Sequence, residues 1–168
     1  MSRPIRALID ISALAHNLRT LKLQNPGKLC MAVVKADAYG HRLPWVLPGL
    51  GEADALAILE LNKATELRRG GWKKPIVLLE GCFSAEECQI ALEHRLDWVI
   101  HTRSQLDQLL ALSERSLSIH QPRVFLKLNT GMNRLGFPLE QASAAIADLD
   151  QWRLAHGCPV PVLMTHFA

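Results

Sequence analysis

The stretch Lys28-Leu29-Cys30-Met31-Ala32-Val33-Val34-Lys35 is an apolar, β-branched run that ends on a lysine and passes directly into a polar turn at residues 36–41. Such a run, closed by a turn that contains glycine, is typical of a buried strand. A lysine whose stem lies along packed aliphatic side chains is partly desolvated, which favours the neutral amine and imine formation with a carbonyl group. On Lys35 alone, however, a lysine that reaches into solvent at a strand end is the better interpretation.

Short apolar runs alternate with amphipathic segments along the chain, which is typical of βαβ units and a parallel sheet. The predicted strands are residues 7–11, 28–35, 55–59, 76–79, 97–100, 124–128 and 160–164. The predicted helices are residues 12–23 with Ser12 as the cap, 62–69, 84–94 with a Ser84/Glu87 capping box, 102–112 and 140–152. The six strands after the leading one fit an open doubly wound sheet, or a (β/α)8 barrel that lacks two units.

The composition excludes several classes of protein. With 168 residues, 49% hydrophobic and 21% charged, the chain fits one soluble globular domain or part of one. The net charge of +3 comes without charged runs, so neither a nucleic-acid nor a membrane partner is expected.

The first six residues lack an apolar signal core, which favours the cytoplasm as the compartment of the protein. The four cysteines lack metal-site spacing and are expected to be reduced thiols: Cys30, Cys82, Cys88 and Cys158.

Titratable side chains follow three of the predicted strands. Lys35, Lys127 and His166 each lie at a carboxyl end, where ligands bind in parallel α/β proteins, so they are expected to point toward a common mouth. Tyr39 is close enough along the chain to reach the same mouth. Arg134 lies on a loop between two glycines, and its planar guanidinium suits a carboxylate or a phenolate oxygen.

Other motifs carry no assignment. The histidines at positions 94, 101, 120 and 156 lack a partner motif, and Asp37 and Glu80 end strands without the spacing of an acid/base pair. No Gly-x-Gly-x-x-Gly, Walker-type or Gly-x-Ser-x-Gly motif is present, which counts against nucleotide enzymes and serine hydrolases.

Residues 33–41, 127–137 and 165–168, with Val77-Leu78-Leu79-Glu80-Gly81 between them, together resemble the N-terminal half of bacterial alanine racemase. The resemblance covers the whole chain. It implies an α/β fold of the (β/α)8 TIM-barrel kind, with residues 1–168 as a partial N-terminal barrel domain and the family's C-terminal β domain absent. It also implies a cytoplasmic homodimer that uses pyridoxal 5'-phosphate to interconvert L-alanine and D-alanine, which supplies D-alanine for peptidoglycan.

The resemblance also implies the role of each site residue. Lys35 matches the catalytic lysine that forms the aldimine with the cofactor and moves the α-proton on one face of the substrate. Tyr39 matches the residue at the cofactor phosphate, and His166 matches the histidine beside the pyridine ring. Arg134 matches the arginine that binds the phenolic oxygen and helps to hold the substrate carboxylate. Lys127 matches a lysine that is carbamylated in several members and steadies that arginine; no metal is implied.

Two departures from the family pattern qualify this reading. Inversion needs a second base on the opposite face, which the family takes from a tyrosine of the partner subunit, whereas the single tyrosine here is Tyr39. The chain is therefore expected to be a fragment that is inactive by itself. Arg42 stands where many members have glycine.

Two alternatives to an alanine racemase remain open from the sequence. One is another pyridoxal phosphate barrel enzyme, such as a different amino-acid racemase or a decarboxylase, and the other is a noncatalytic cofactor-binding or interaction segment.

Overall fold

The computed structural model describes residues 4–167, so residues 1–3 and Ala168, the last residue of the third motif, lie outside the described residues. The strands are β1 (Met31–Val33), β2 (Ala55–Ile58), β3 (Ile76–Leu78), β4 (Asp97–Ile100), β5 (Val124–Lys127) and β6 (Val162–Met164). The helices are α1 (Ile11–Gln24), α2 (Lys35–Tyr39), α3 (Leu43–Val46), a 3₁₀ helix (Leu47–Leu50), α4 (Leu61–Arg69), α5 (Ala85–Glu93), α6 (Arg103–Leu110), α7 (Glu114–Leu117) and α8 (Leu139–His156).

The six strands form one sheet whose strand order is the chain order, β1 to β6. β1 pairs with β2 in parallel, with Ala32 opposite Leu56. The pairs from β3 to β6 are parallel as well. Sequential parallel strands with intervening helices are the architecture of a (β/α)8 barrel, of which six of the eight strands are present. The predicted fold class is therefore confirmed, and each of these strands lies within its predicted limits.

The chain divides into two compact units, residues 1–57 and 58–168. In the first unit, the prediction of a leading strand at residues 7–11 is wrong. The carboxylate of Asp10 accepts hydrogen bonds from the backbone N–H groups of Ser12 and Ala13, at 2.9 and 3.1 Å, and so starts helix α1 at Ile11. Asp10, rather than the predicted Ser12, is the cap. Leu8 is 91% exposed and belongs to no strand, so burial does not support an extended segment there.

In the second unit, β3, β4 and β5 are buried along their whole length, with Trp98, Ile100 and Leu126 among the fully enclosed side chains. The predicted cap of α5 is present, since Ser84 accepts a hydrogen bond from the first turn of that helix, and Thr102 caps α6 in the same way. The carboxylate of Glu87 accepts a hydrogen bond from the backbone N–H of Phe83, at 2.7 Å. These caps fix where each helix begins relative to the strand before it.

The remaining predictions on composition concern thiols and membranes. All four cysteines are free, as expected. In the part of the chain that the structure describes, no helix has the length and apolar character of a membrane span. Residues 4–167 also contain no cluster of three or more histidine, cysteine, aspartate or glutamate side chains that could hold a metal ion.

Candidate functional site

The segment after β1 adopts a left-handed backbone turn. Ala36, Asp37, Ala38 and Tyr39 have φ between 51° and 55°, followed by Gly40 at 83°. Non-glycine residues avoid this region, at a cost of about 1–2 kcal/mol for each residue. Four in succession form a strained element, and backbone strain of this kind concentrates at functional sites. The observed conformation of α2 therefore marks this turn as a candidate site on structural grounds.

Hydrogen bonds hold the strained turn in place. The N–H of Ala38 donates to the carbonyl of Val34, and the N–H of Arg42 donates to the carbonyl of Asp37, both at 3.0 Å. The Asp37 carboxylate accepts from the N–H of Leu43 at 2.8 Å and pairs with the exposed guanidinium of Arg42 at 3.4 Å. Val34 and Ala38 are buried, so the turn is anchored on both sides of Lys35. Asp37 and Arg42 are thus structural partners within the turn.

Lys35 and Tyr39 are brought together by this turn. Lys35 lies two residues beyond β1 and is half-buried, and its Nζ lies 6.0 Å from the centroid of the Tyr39 ring. Tyr39 is 60% exposed, so its phenol is open to a ligand. A half-buried amine with an accessible phenol beside it offers a covalent attachment point and a hydrogen-bond donor for a phosphorylated carbonyl compound.

The loop after β5 is organised by one side chain. Oδ1 of Asn129 accepts hydrogen bonds from the N–H groups of Gly131 and Asn133, at 3.1 and 3.0 Å, and its Nδ2 donates to Oδ1 of Asn133 at 2.8 Å. The N–H of Phe137 donates to the carbonyl of Lys127, at 2.8 Å, which closes the loop onto its own strand. Asn129 was not recognised from the sequence, although an asparagine just before a Thr-Gly pair is a known turn signal.

Glycine is required where this loop returns to the strand. Gly136 has φ of 124°, and a Cβ atom there would lie 2.7 Å from the backbone nitrogen of Asn129. The return places Arg134 on the exposed side of the loop, and among residues 4–167 its guanidinium has no ion-pair partner. An arginine held by a fixed loop with its donors free suits a carboxylate or phenolate ligand.

The end of β6 adjoins the same loop. The N–H of Leu128 donates to the carbonyl of Met164 at 2.9 Å, and the hydroxyls of Thr130 and Thr165 hydrogen-bond to each other. His166, the next residue, is exposed. The structure therefore brings the loop that carries Arg134 and the segment that carries His166 together at adjacent strand ends.

Lys127 and His101 are buried basic side chains of this unit, each only 8% exposed. The register of β4 and β5 pairs Ile100 with Leu126, so the next residues, His101 and Lys127, lie on the same face of the sheet. Burial lowers the pKa of the His101 imidazole; the carbonyl of Glu80 opposes this shift, and the positive charge of Lys127 adds to it. His101 was assigned no role from the sequence, yet it directly follows β4, as Lys127 ends β5.

Comparison with known proteins identifies the family. The family model for the N-terminal domain of alanine racemase matches residues 9–168. The alanine racemase of Nitrosomonas eutropha is 46% identical over 168 residues, all of this chain and 45% of that protein; the one of Nitrosomonas europaea is 47% identical, over 44% of its length. The structure of alanine racemase from Acinetobacter baumannii superposes with a TM-score of 0.86 at 34% identity, over 95% of this chain and 43% of the other. The chain belongs to the alanine racemase family.

The chain spans less than half the length of the alanine racemases that it matches. Within the matched region, Lys35 and Tyr39 lie together in the first unit. The other three predicted site residues lie at neighbouring strand ends of the second unit: Lys127, Arg134 and His166. The convergence of the two groups on one mouth stays a prediction. At Arg42, the departure from the family pattern is accommodated by the ion pair with Asp37 and a backbone φ of 67°.

Proposed function

We propose that the full-length protein that carries this chain is an alanine racemase, which interconverts L-alanine and D-alanine and supplies D-alanine for peptidoglycan. Membership of the family supports this, and the observation that carries it is the half-buried Lys35 amine fixed by a strained turn at a strand end. A backbone that retains four left-handed non-glycine residues is under structural constraint, and placing a reactive amine is a physical reason for it.

The residues of the chain fit pyridoxal 5'-phosphate. The Lys35 amine would hold the aldehyde carbon, and the exposed Tyr39 phenol would donate to the phosphate. The free guanidinium of Arg134 would donate to the phenolic oxygen and to the substrate carboxylate, while His166 would lie against the ring. When bound, the cofactor withdraws electrons from the amino-acid Cα and so makes its hydrogen acidic.

The proton transfers define what this chain does and does not supply. Lys35 would take and return the α-proton on one face of the substrate, since its amine is released when the amino acid replaces it. Inversion requires a base on the other face, and the proposed source is a tyrosine of a partner subunit in a homodimer. Because Tyr39 is the single tyrosine and is placed at the phosphate, we propose that the 168-residue chain by itself does not racemise alanine.

We further propose that Lys127 is carbamylated. Lys127 is buried at the end of β5, and Arg134 lies on the loop that follows this strand. An ammonium group there would repel the guanidinium, whereas a carbamate is an anion that would attract it. The carbamate would then steady Arg134 in the orientation that donates to the ligand.

The test is a pair of lysine variants of the full-length protein. Lys35→Ala should remove cofactor that borohydride fixes to the protein and should lower racemase activity on alanine at least about 1,000-fold. Lys28→Ala, an exposed lysine at the start of the same predicted strand, is the matched control and should retain both. Reductive attachment that persists in Lys35→Ala would contradict the assignment, and faster turnover of serine than alanine would favour a different racemase.

A further inference from the structure

His101 is held by contacts that determine which ring nitrogen carries a proton. Its Nε2 lies 3.1 Å from the backbone carbonyl of Glu80. A carbonyl oxygen only accepts hydrogen bonds, so Nε2 is the donor and carries the hydrogen. In the neutral ring, Nδ1 therefore bears a bare lone pair.

Gln105 locks this arrangement. Its Oε1 accepts from the backbone N–H of His101 at 3.0 Å, and its Nε2 donates to the same Glu80 carbonyl at 2.6 Å. Gly81 makes the close approach possible, because a Cβ atom there would lie 2.8 Å from Nε2 of Gln105 and 2.2 Å from the carbonyl oxygen of Val99. The imidazole is thus fixed just before α6, with its tautomer set by the Glu80 carbonyl that Gln105 holds in place.

The other ring nitrogen is buried and unused. Nδ1 of His101 is inaccessible to solvent and has no hydrogen-bond partner among the described residues. An unpaired acceptor in the interior costs about 1–3 kcal/mol, so such an atom calls for an explanation. The neighbouring side chain on the same face is Lys127, which is buried to the same extent and whose charge acts on the ring.

We propose that His101 is a positioning residue for Lys127, whose Nδ1 takes a proton from the Lys127 ammonium and then, as an imidazolium, pairs with the carbamate of that lysine. The inference rests on the proposed function only in taking Lys127 as carbamylated. It assigns no contact with the substrate to His101. It accounts for the unpaired Nδ1 as an acceptor that is used when the lysine reacts.

The step balances with carbon dioxide as the co-reactant. The Lys127 ammonium gives one proton to Nδ1, and the lone pair of the resulting amine attacks the carbon of carbon dioxide. An N–C bond forms, and one C–O π bond breaks to leave a carboxylate. The nitrogen then loses its second proton to the buffer, so that the ammonium, the imidazole and carbon dioxide become the carbamate, the imidazolium and one released proton. The new negative charge favours the protonated ring that it faces.

The experiment measures the carbamate directly in the full-length protein. His101→Gln keeps a donor toward the Glu80 carbonyl and removes the base. With ¹³C-labelled carbon dioxide at a limiting concentration, the carbamate resonance of Lys127 should fall about tenfold in this variant, since a hydrogen bond to a charged group is worth at least that factor. Saturating carbon dioxide should restore it. His120→Gln, which removes a half-buried histidine from the amino end of the same strands, should leave the resonance unchanged.

A second measurement needs no change at His101. In the ¹⁵N-labelled unaltered protein, Nδ1 of His101 should change from unprotonated to protonated when carbon dioxide is added, and Lys127→Met should abolish the change. Full carbamylation of His101→Gln at limiting carbon dioxide, or an Nδ1 that stays unprotonated as the carbamate forms, overturns the inference. An unaltered protein that racemises alanine without a carbamate overturns it as well, whereas a carbamate without racemase activity overturns only the proposed function.

Discussion

The two loops that carry the candidate cofactor-binding groups are held by opposite means. After β1, the main chain itself is strained, with four left-handed residues that are bonded largely through backbone groups. The position of Lys35, which precedes these residues, is set by this backbone path. After β5, the path is set by the side chain of Asn129 and by one glycine, with Arg134 carried on the exposed side. In the first loop, a substitution that relieves backbone strain can therefore stabilise the protein. In the second loop, substitutions at Asn129 or at the glycine are expected only to destabilise it.

The largest effect is expected at the glycine of the second loop. Gly136→Ala places a Cβ against the backbone of Asn129 at a φ of 124°, so we expect a loss of about 3 kcal/mol in unfolding free energy. Gly131→Ala is the matched control, because it has the same φ but no atom within 4 Å of the added carbon. Denaturant unfolding of the full-length protein measures both. Equal losses would mean that the close approach at Gly136 contributes nothing.

The next effect concerns the side chain that organises this loop. Asn129→Ala removes three hydrogen bonds, and we expect a loss of about 1–3 kcal/mol together with a fall of about 100-fold in kcat/KM, since Arg134 is no longer fixed. Asn129→Asp keeps the acceptor for both backbone N–H groups and should retain most of the activity. If Asn129→Ala retains wild-type kinetics, the loop is organised by other contacts.

A smaller effect separates the loops by their response to pH. Burial lowers the pKa of His101, which lies beside the second loop. As the pH falls below the ordinary value of 6.5, the unfolded chain therefore binds a proton at this residue before the folded chain does, and folding is disfavoured. In buffer free of carbon dioxide, the unfolding free energy should therefore fall as the pH falls through that window, by no more than about 1.4 kcal/mol per pH unit from this group, and the melting temperature should fall with it. His101→Gln should flatten the drop, and an unchanged slope would assign it to other groups.

The smallest effect has the opposite sign and belongs to the first loop. Ala36→Gly relieves one strained residue and should stabilise the protein by about 0.5–1 kcal/mol. Ala13→Gly, at an exposed site in the right-handed helix α1 of the same unit, should instead destabilise it by a similar amount. Thermal unfolding distinguishes the two signs. Destabilisation by both would show that the turn at residues 36–39 is not strained in solution.

Much of the fold could be predicted from local pattern, because a buried parallel strand must be apolar and its neighbouring helix amphipathic. That rule placed β4 at its observed limits, and the Ser-x-x-Glu motif placed the cap of α5 at Ser84. It failed at residues 7–11, where an apolar run ends in an aspartate that caps a helix, since hydrophobicity alone does not say whether a partner strand exists. The short helices of residues 43–50 and Glu114–Leu117 were missed because they are too brief to show a period.

The parallel α/β class, the family resemblance and the residue types at the strand ends could all be read from the amino-acid sequence, because hydrophobic period and motif order are local properties of the chain. Only the tertiary structure shows that Lys35 leads into a left-handed turn, that Asn129 holds the loop of Arg134, and that His101 lies beside Lys127 with one nitrogen unpaired. These features depend on backbone dihedral angles and on the register between strands more than 20 residues apart, which only the packed molecule specifies.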